Sequence, residues 1–162
     1  MVEKISIDEA DLDDPRHRAA VLEMTRAYAR DPMGNGRDLP EATQASLVEG
    51  LREHPTTLIF IAFRGDRPVG IATCFVGFST FAARRLVNIH DLHVLPELRR
   101  QGIGRRLLEA VELRARQLGC CKLTLEVQER NRVAQALYRR FGFGAGRYEP
   151  DAGTVLFREK KL

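Results

Sequence analysis

The run Ile103, Leu107, Val111, Ala115 and Leu118 constrains the fold more than any other feature of the chain. Apolar residues at that spacing make one face of a helix, and Gly119 stops it. Arg105, Arg106, Glu109, Glu112 and Arg116 take the wet side, with Glu112 and Arg116 as a pair four residues apart. A helix apolar on one face needs a layer to cover that face. The flanking segments supply a sheet. Residues 57–63 and 69–78 read as strands joined by the turn Arg64-Gly65-Asp66-Arg67-Pro68. Residues 86–94 form another, ended by Pro96, and residues 122–127 a further one.

The ends of the chain complete the pattern. Residues 2–7 alternate like a first strand. Asp13 or Asp14 caps a helix with Pro15 near its start, running to about Arg30. After the turn-rich stretch Asp31-Pro32-Met33-Gly34-Asn35-Gly36, residues 39–53 read as a second helix ending before His54-Pro55. Asn131 caps a last helix whose stripe is Val133, Leu137 and Phe141, and residues 145–148 and 154–158 form a closing hairpin. The order is β-α-α-β-β-β-α-β-α-β-β, an α/β fold whose mixed sheet carries helices on its faces. A chain of 162 residues fits a single domain spanning 1–162.

Composition narrows the class. Hydrophobic residues are 44% and charged residues 30%, a globular balance. No stretch approaches the roughly 18 apolar residues of a membrane span, and Met1-Val2-Glu3-Lys4-Ile5 lacks the basic-then-apolar pattern of a secretory signal. The cysteines are odd in number (Cys74, Cys120, Cys121), so a cytoplasmic location fits better than a disulfide framework. Residues 1–80 carry nine Lys and Arg against thirteen Asp and Glu; residues 81–162 carry seventeen against nine. A basic second half suits a phosphate-bearing ligand or nucleic acid, or is simply a solvated surface.

Arg99-Arg100-Gln101-Gly102-Ile103-Gly104 lies between a strand and the opening of the strongest helix. The first amides of a helix lack internal partners, its dipole favours an anion, and glycines let one approach the backbone. Arg99, Arg100, Arg105 and Arg106 add cations. A bare packing turn is the alternative. A Walker loop is excluded because no Lys-Ser/Thr pair follows. A dinucleotide fingerprint is excluded because Leu107 takes its third glycine position, although Glu126 stands where a ribose-binding acid would.

The loop fits Gln/Arg-x-x-Gly-x-Gly/Ala and resembles the acetyl-coenzyme A signature of the GNAT superfamily of N-acetyltransferases. Asn131-x-x-Ala134-x-x-Leu137-Tyr138-x-x-Phe141-Gly142-Phe143 resembles that family's C-terminal motif. The pattern is similar to the small-molecule and diamine-type members. The resemblance implies a mostly antiparallel sheet splayed at its central strands, and acetyl-CoA as cosubstrate. It places the pyrophosphate at Arg99, Arg100, Gln101, Gly102, Ile103, Gly104 and Arg105, and the pantetheine arm beside Leu92, His93 and Val94. Asn131 would help hold the coenzyme.

Amide formation from a thioester needs a neutral amine, a donor for the oxyanion and a proton for the leaving thiolate. A strand amide near Val94 is the natural oxyanion donor, and Tyr138 matches the family's acid. For the base, His90 replaces the glutamate of the diamine enzymes' Glu-Asp pair and Asp91 keeps the aspartate; Glu126 and ordered water are alternatives. Strand alternation sends His90 and His93 to opposite faces, and with no third ligand nearby no metal is expected. The acceptor, a small-molecule or peptide amine, is expected to meet residues 31–38, with residues 78–81 as a further candidate wall. Neither a membrane nor nucleic acid is expected as a partner, and the resemblance admits a homodimer. The rival functions are a non-catalytic acyl-CoA sensor and, less well supported, a nucleic-acid-binding module.

Overall fold

The computed structural model of the chain describes residues 4–144 and 157–162. The expected closing hairpin falls largely outside them, as does the start of the first strand. Five strands and four α-helices follow in order: β1 (Ile5–Glu9), α1 (Pro15–Arg30), α2 (Glu41–Glu53), β2 (Thr57–Arg64), β3 (Arg67–Ser79), β4 (Arg84–Val94), α3 (Ile103–Gln117), β5 (Leu123–Leu125) and α4 (Arg132–Phe141). A short 3-10 turn, Pro96–Leu98, leads from β4 towards α3.

The helix ends follow local chemistry. Asp14 caps α1 by accepting the Arg16 amide at 2.7 Å, and Asn131 caps α4 by accepting the Ala134 amide at 3.1 Å. α2 begins at Glu41 rather than 39, because the residue before Pro40 is disfavoured in helical conformation.

The strands lie side by side in chain order. β1 to β4 pair antiparallel, and β5 joins the β4 edge in parallel. One face packs under α1 and α2, where Val21, Met24 and Val48 meet Ile59, Ile61, Phe63 and Ile71. The other packs under α3 and α4, where Leu107, Val111 and Tyr138 meet Phe60, Ala72, Cys74 and Ile89. Each side of the sheet thus buries a core of its own.

Two irregularities in β4 shape everything that follows. Its pairing with β5 spans only Val87–Leu123, Asn88–Thr124 and Ile89–Leu125, so β5 is shorter than the expected 122–127. At the same point the register with β3 slips: Cys74 faces Ile89 but Thr73 faces Asp91, leaving His90 supernumerary. Such a bulge bends its strand and interrupts the ladder. Beyond Ile89 β5 no longer pairs with β4, and the sheet is splayed there.

Candidate active site

The parted half of β4 offers an open backbone edge. The Leu95 amide donates to Val69 O at 3.0 Å, which fixes the parity of the strand. Asp91 and His93 therefore turn their backbone groups towards β3, while Leu92 and Val94 turn theirs to the gap. Of the three residues expected beside the pantetheine arm, Leu92 and Val94 have backbone positioned to pair with it. His93 instead contributes its side chain, on the α1 face.

The turn that follows is built from left-handed backbone. Arg100 has φ +62° and Gly102, the N-cap of α3, φ +82°. Gly102 suits that conformation, and space around its missing Cβ is open. The first α3 bond runs from the Arg106 amide to Gly102 O, at 3.1 Å. The amides of Gln101, Gly102, Ile103, Gly104 and Arg105 thus donate to no acceptor among the described residues. Gly104 is small for a different reason: a Cβ there would lie 3.1 Å from Leu137 Cδ2, so α3 and α4 approach closely beside Val94. These unpartnered amides, the open edge and the positive end of the helix fit a pyrophosphate-bearing thioester.

Three of the four arginines at the turn have protein partners. Arg99 pairs with Asp31, and its Nε donates to Val94 O at 3.0 Å. Arg105 pairs with Glu109 at 2.8 Å, and Arg106 donates to Ile5 O at 3.0 Å. Arg100 has no partner among the described residues. The Asn131 side-chain oxygen is taken up by the α4 cap, which leaves its amide nitrogen for a ligand.

The catalytic candidates gather around the same gap from two sides. From α4, Tyr138 is buried to 9% exposure with its ring edge-on to Phe143, centroids 5.7 Å apart. Burial, assisted by the nearby Tyr28 phenol, pushes its hydroxyl up to about 12, so it stays protonated. Asp91 forms no side-chain hydrogen bond to a described residue, and burial lifts its carboxyl above the usual range while His90 pulls the other way. His90 is exposed and meets Phe75 edge-on at 5.6 Å; Phe75 meets His54 in turn at 5.1 Å.

Alternation misplaced His90. Phe75 and Tyr28 both lie on the α1 and α2 face, and His90 and His93 meet them there, because the supernumerary residue interrupts the alternation. Among the described residues no group of three metal-ligating side chains forms. Glu126 lies exposed beyond the end of β5. Phe78 and Phe81 sit on the β3–β4 hairpin, whose β4 end is six residues from His90, about 20 Å along the strand.

Tyr28 escaped the sequence, and His93 was expected here only as a strand residue beside the pantetheine arm. Tyr28 stands against His93, ring centroids 5.5 Å apart, and is raised by burial and by the carboxylates of Asp91 and Asp31. Its position on the amphipathic face of α1 gave it the look of ordinary core. His93 is 4% exposed, its Nε2 has no partner among the described residues, and burial pushes it down to about 4.

The sequence and the fold have known counterparts. The chain matches the acetyltransferase (GNAT) family over residues 21–143. YhfO of Bacillus subtilis (strain 168), an uncharacterized N-acetyltransferase, is 32% identical over 139 residues, 86% of this chain and 88% of that one. The thialysine N-epsilon-acetyltransferase of Caenorhabditis elegans is 35% identical over 79 residues, 49% of each chain. An aminoglycoside acetyltransferase from an uncultured soil metagenomic sample, crystallised with trehalose, superposes with TM-score 0.79 at 20% identity, over 98% of this chain and 96% of that one. That last likeness is one of fold.

Proposed function

The chain belongs to the acetyltransferase (GNAT) family and is an acetyl-CoA-dependent N-acetyltransferase, and we propose that it acetylates the primary amine of a small molecule by direct transfer. One observation carries the proposal: the open β4 edge at Leu92 and Val94 runs directly into the unpartnered amides of residues 101–105. A thioester arm along that edge, with its diphosphate on the amides, brings its carbonyl to the gap between Tyr138 and Asp91. The amine nitrogen then bonds to the acetyl carbon as the carbon–sulfur bond breaks. Asp91, with His90 beside it, takes the proton lost by the amine. Tyr138 supplies a proton to the departing sulfur, the Val94 amide faces the developing oxyanion, and exchange with water resets both groups.

The acceptor side supports a small amine rather than a polycation. Asp38 is engaged by Arg26 and Arg30, and Asp31 by Arg99, so the acidic first half offers no bare carboxylate patch there. Asp91 is the acid at the gap that has no side-chain partner among the described residues. Thialysine and aminoglycosides, the acceptors named for the relatives, are amines of this scale. The three cysteines are free, which favours a reducing cytoplasm, and among the described residues no helix is long and apolar enough to cross a membrane. The family resemblance extends the proposal to a homodimer, which sedimentation at micromolar concentration reads directly.

The test is thiol release from acetyl-CoA across a panel of amino acids, diamines, aminoglycosides and short peptides, with Tyr138→Phe alongside. Release with a small amine, reduced about 10²-fold in the variant, is expected. Tight acetyl-CoA binding without release across the panel would point to a sensor instead.

A further inference from the structure

Asp31 directly follows α1, and its carboxylate is buried, with 4% of the side chain exposed. It is gripped on every side. One carboxylate oxygen accepts from Arg99 Nη2 and the other from the Met33 amide at 2.8 Å. Its carbonyl accepts the amides of Gly34 at 2.8 Å and Gly36 at 3.1 Å. The loop over residues 31–38 is therefore wound around this residue. The far end of the loop is tied back to α1, where Asp38 accepts from Arg26 at 2.7 Å and from Arg30 at 2.9 Å.

Arg99 arrives from the opposite direction. It opens the turn into α3, two residues before the unpartnered amides begin, and its Nε holds the carbonyl of Val94, the last residue of β4. One guanidinium thus joins the loop beside Tyr28 and His93, the end of the splayed strand, and the base of the coenzyme turn. With Nε and Nη2 both engaged, contact with a phosphate through them would abandon a buried carboxylate, an expensive exchange.

We propose that Asp31 and Arg99 are positioning residues that couple the acetyl-CoA seat to the acceptor-side loop 31–38. An anion settled on the amides of residues 101–105 fixes the turn carrying Arg99; Arg99 fixes Asp31; Asp31 fixes the loop wound around it. The coenzyme thereby orders the wall against which the amine is received. This coupling rests on the acetyl-CoA-dependent function proposed above, and linkage makes it reciprocal: a loop that acetyl-CoA orders must also strengthen acetyl-CoA binding.

The experiment combines hydrogen–deuterium exchange over residues 31–38, with and without acetyl-CoA, and calorimetric Kd values for acetyl-CoA. It compares the wild type with Asp31→Asn, Arg99→Gln, the double variant and Arg99→Lys. The wild type gains protection over 31–38 on binding, and both single variants lose that gain while β2 amides stay protected. Each weakens acetyl-CoA by roughly tenfold, and the double variant is no weaker than either. Arg99→Lys keeps a cation beside Asp31 but lacks the planar fork, so it folds with the coupling reduced. It carries the test if the other variants fail to fold. Weakened binding in Arg99→Gln with wild-type affinity in Asp31→Asn would make Arg99 a phosphate ligand and overturn the proposal. So would acetyl-CoA binding that leaves 31–38 unprotected. A wild type that binds no acetyl-CoA would overturn the function itself.

Discussion

Tyr28 on α1 stands against His93 of β4, ring centroids 5.5 Å apart, on the face of the sheet opposite the one Tyr138 of α4 packs on. Because burial and Tyr28 together push Tyr138 up to about 12, the acid stays protonated through the working range. The pH–rate profile of kcat should therefore show no descending basic limb below about pH 10. A limb near pH 9 that disappears in Tyr138→Phe would contradict this.

Asp91 and His90 divide the other half of the chemistry. With Asp91 as base, Asp91→Asn lowers kcat by about 10²- to 10⁴-fold and removes the acid limb. His90 favours the charged carboxylate, so removing its charge lifts the Asp91 pKa. His90→Gln should thus move the acid limb to higher pH. Abolition of the limb by His90→Gln alone would transfer the role to the histidine.

Stability should fall in mild acid through His93. Its folded pKa, pushed down to about 4, lies below the ordinary histidine value of 6.5, so the unfolded chain binds the extra proton first. The stabilisation is complete above pH 6.5 and disappears as pH falls towards 4, at most about 3 kcal/mol in all. Asp91, raised rather than lowered, acts in the opposite sense, and Asp31 acts only below its ordinary range. Thermal melts of wild type and His93→Gln between pH 7 and 4 isolate the contribution of this histidine. The wild type should lose roughly 5–10 °C more than the variant.

Much of the fold was legible because it rests on short-range patterns. The stripe of α3, the Asp14 and Asn131 caps and the Pro96 stop depend on neighbours a few residues away. The glycine turn was legible for the same reason. Strand alternation failed at His90, since a one-residue slip against β3 is a property of two strands together and leaves no mark in either alone. Arg99 read as one cation among four, and its partner Asp31 lies 68 positions away, beyond any periodicity. Tyr28 carried no motif, and the His93 ring it faces comes from a strand 65 positions away.

The coenzyme turn should discriminate sharply between its two glycines. Gly102→Ala forces a Cβ onto left-handed backbone and should cost about 1 kcal/mol in urea melts, with Gly102→Asn recovering part of it. Gly104→Ala meets Leu137 Cδ2, a movable side-chain end, so its cost should appear as weaker acetyl-CoA binding more than as lost stability. Equal losses of stability in both variants would refute the distinction.

The supernumerary residue of β4 separates geometry from chemistry at one position. At this point β4 is one peptide longer than β3, whatever side chain that peptide bears. Position 90 can therefore carry histidine, an acid or a neutral group with the bulge still standing. A deletion there is a different event from any substitution: the ladder between β3 and β4 would run true, and the bend that the extra peptide puts into β4 beside Asp91 would be lost.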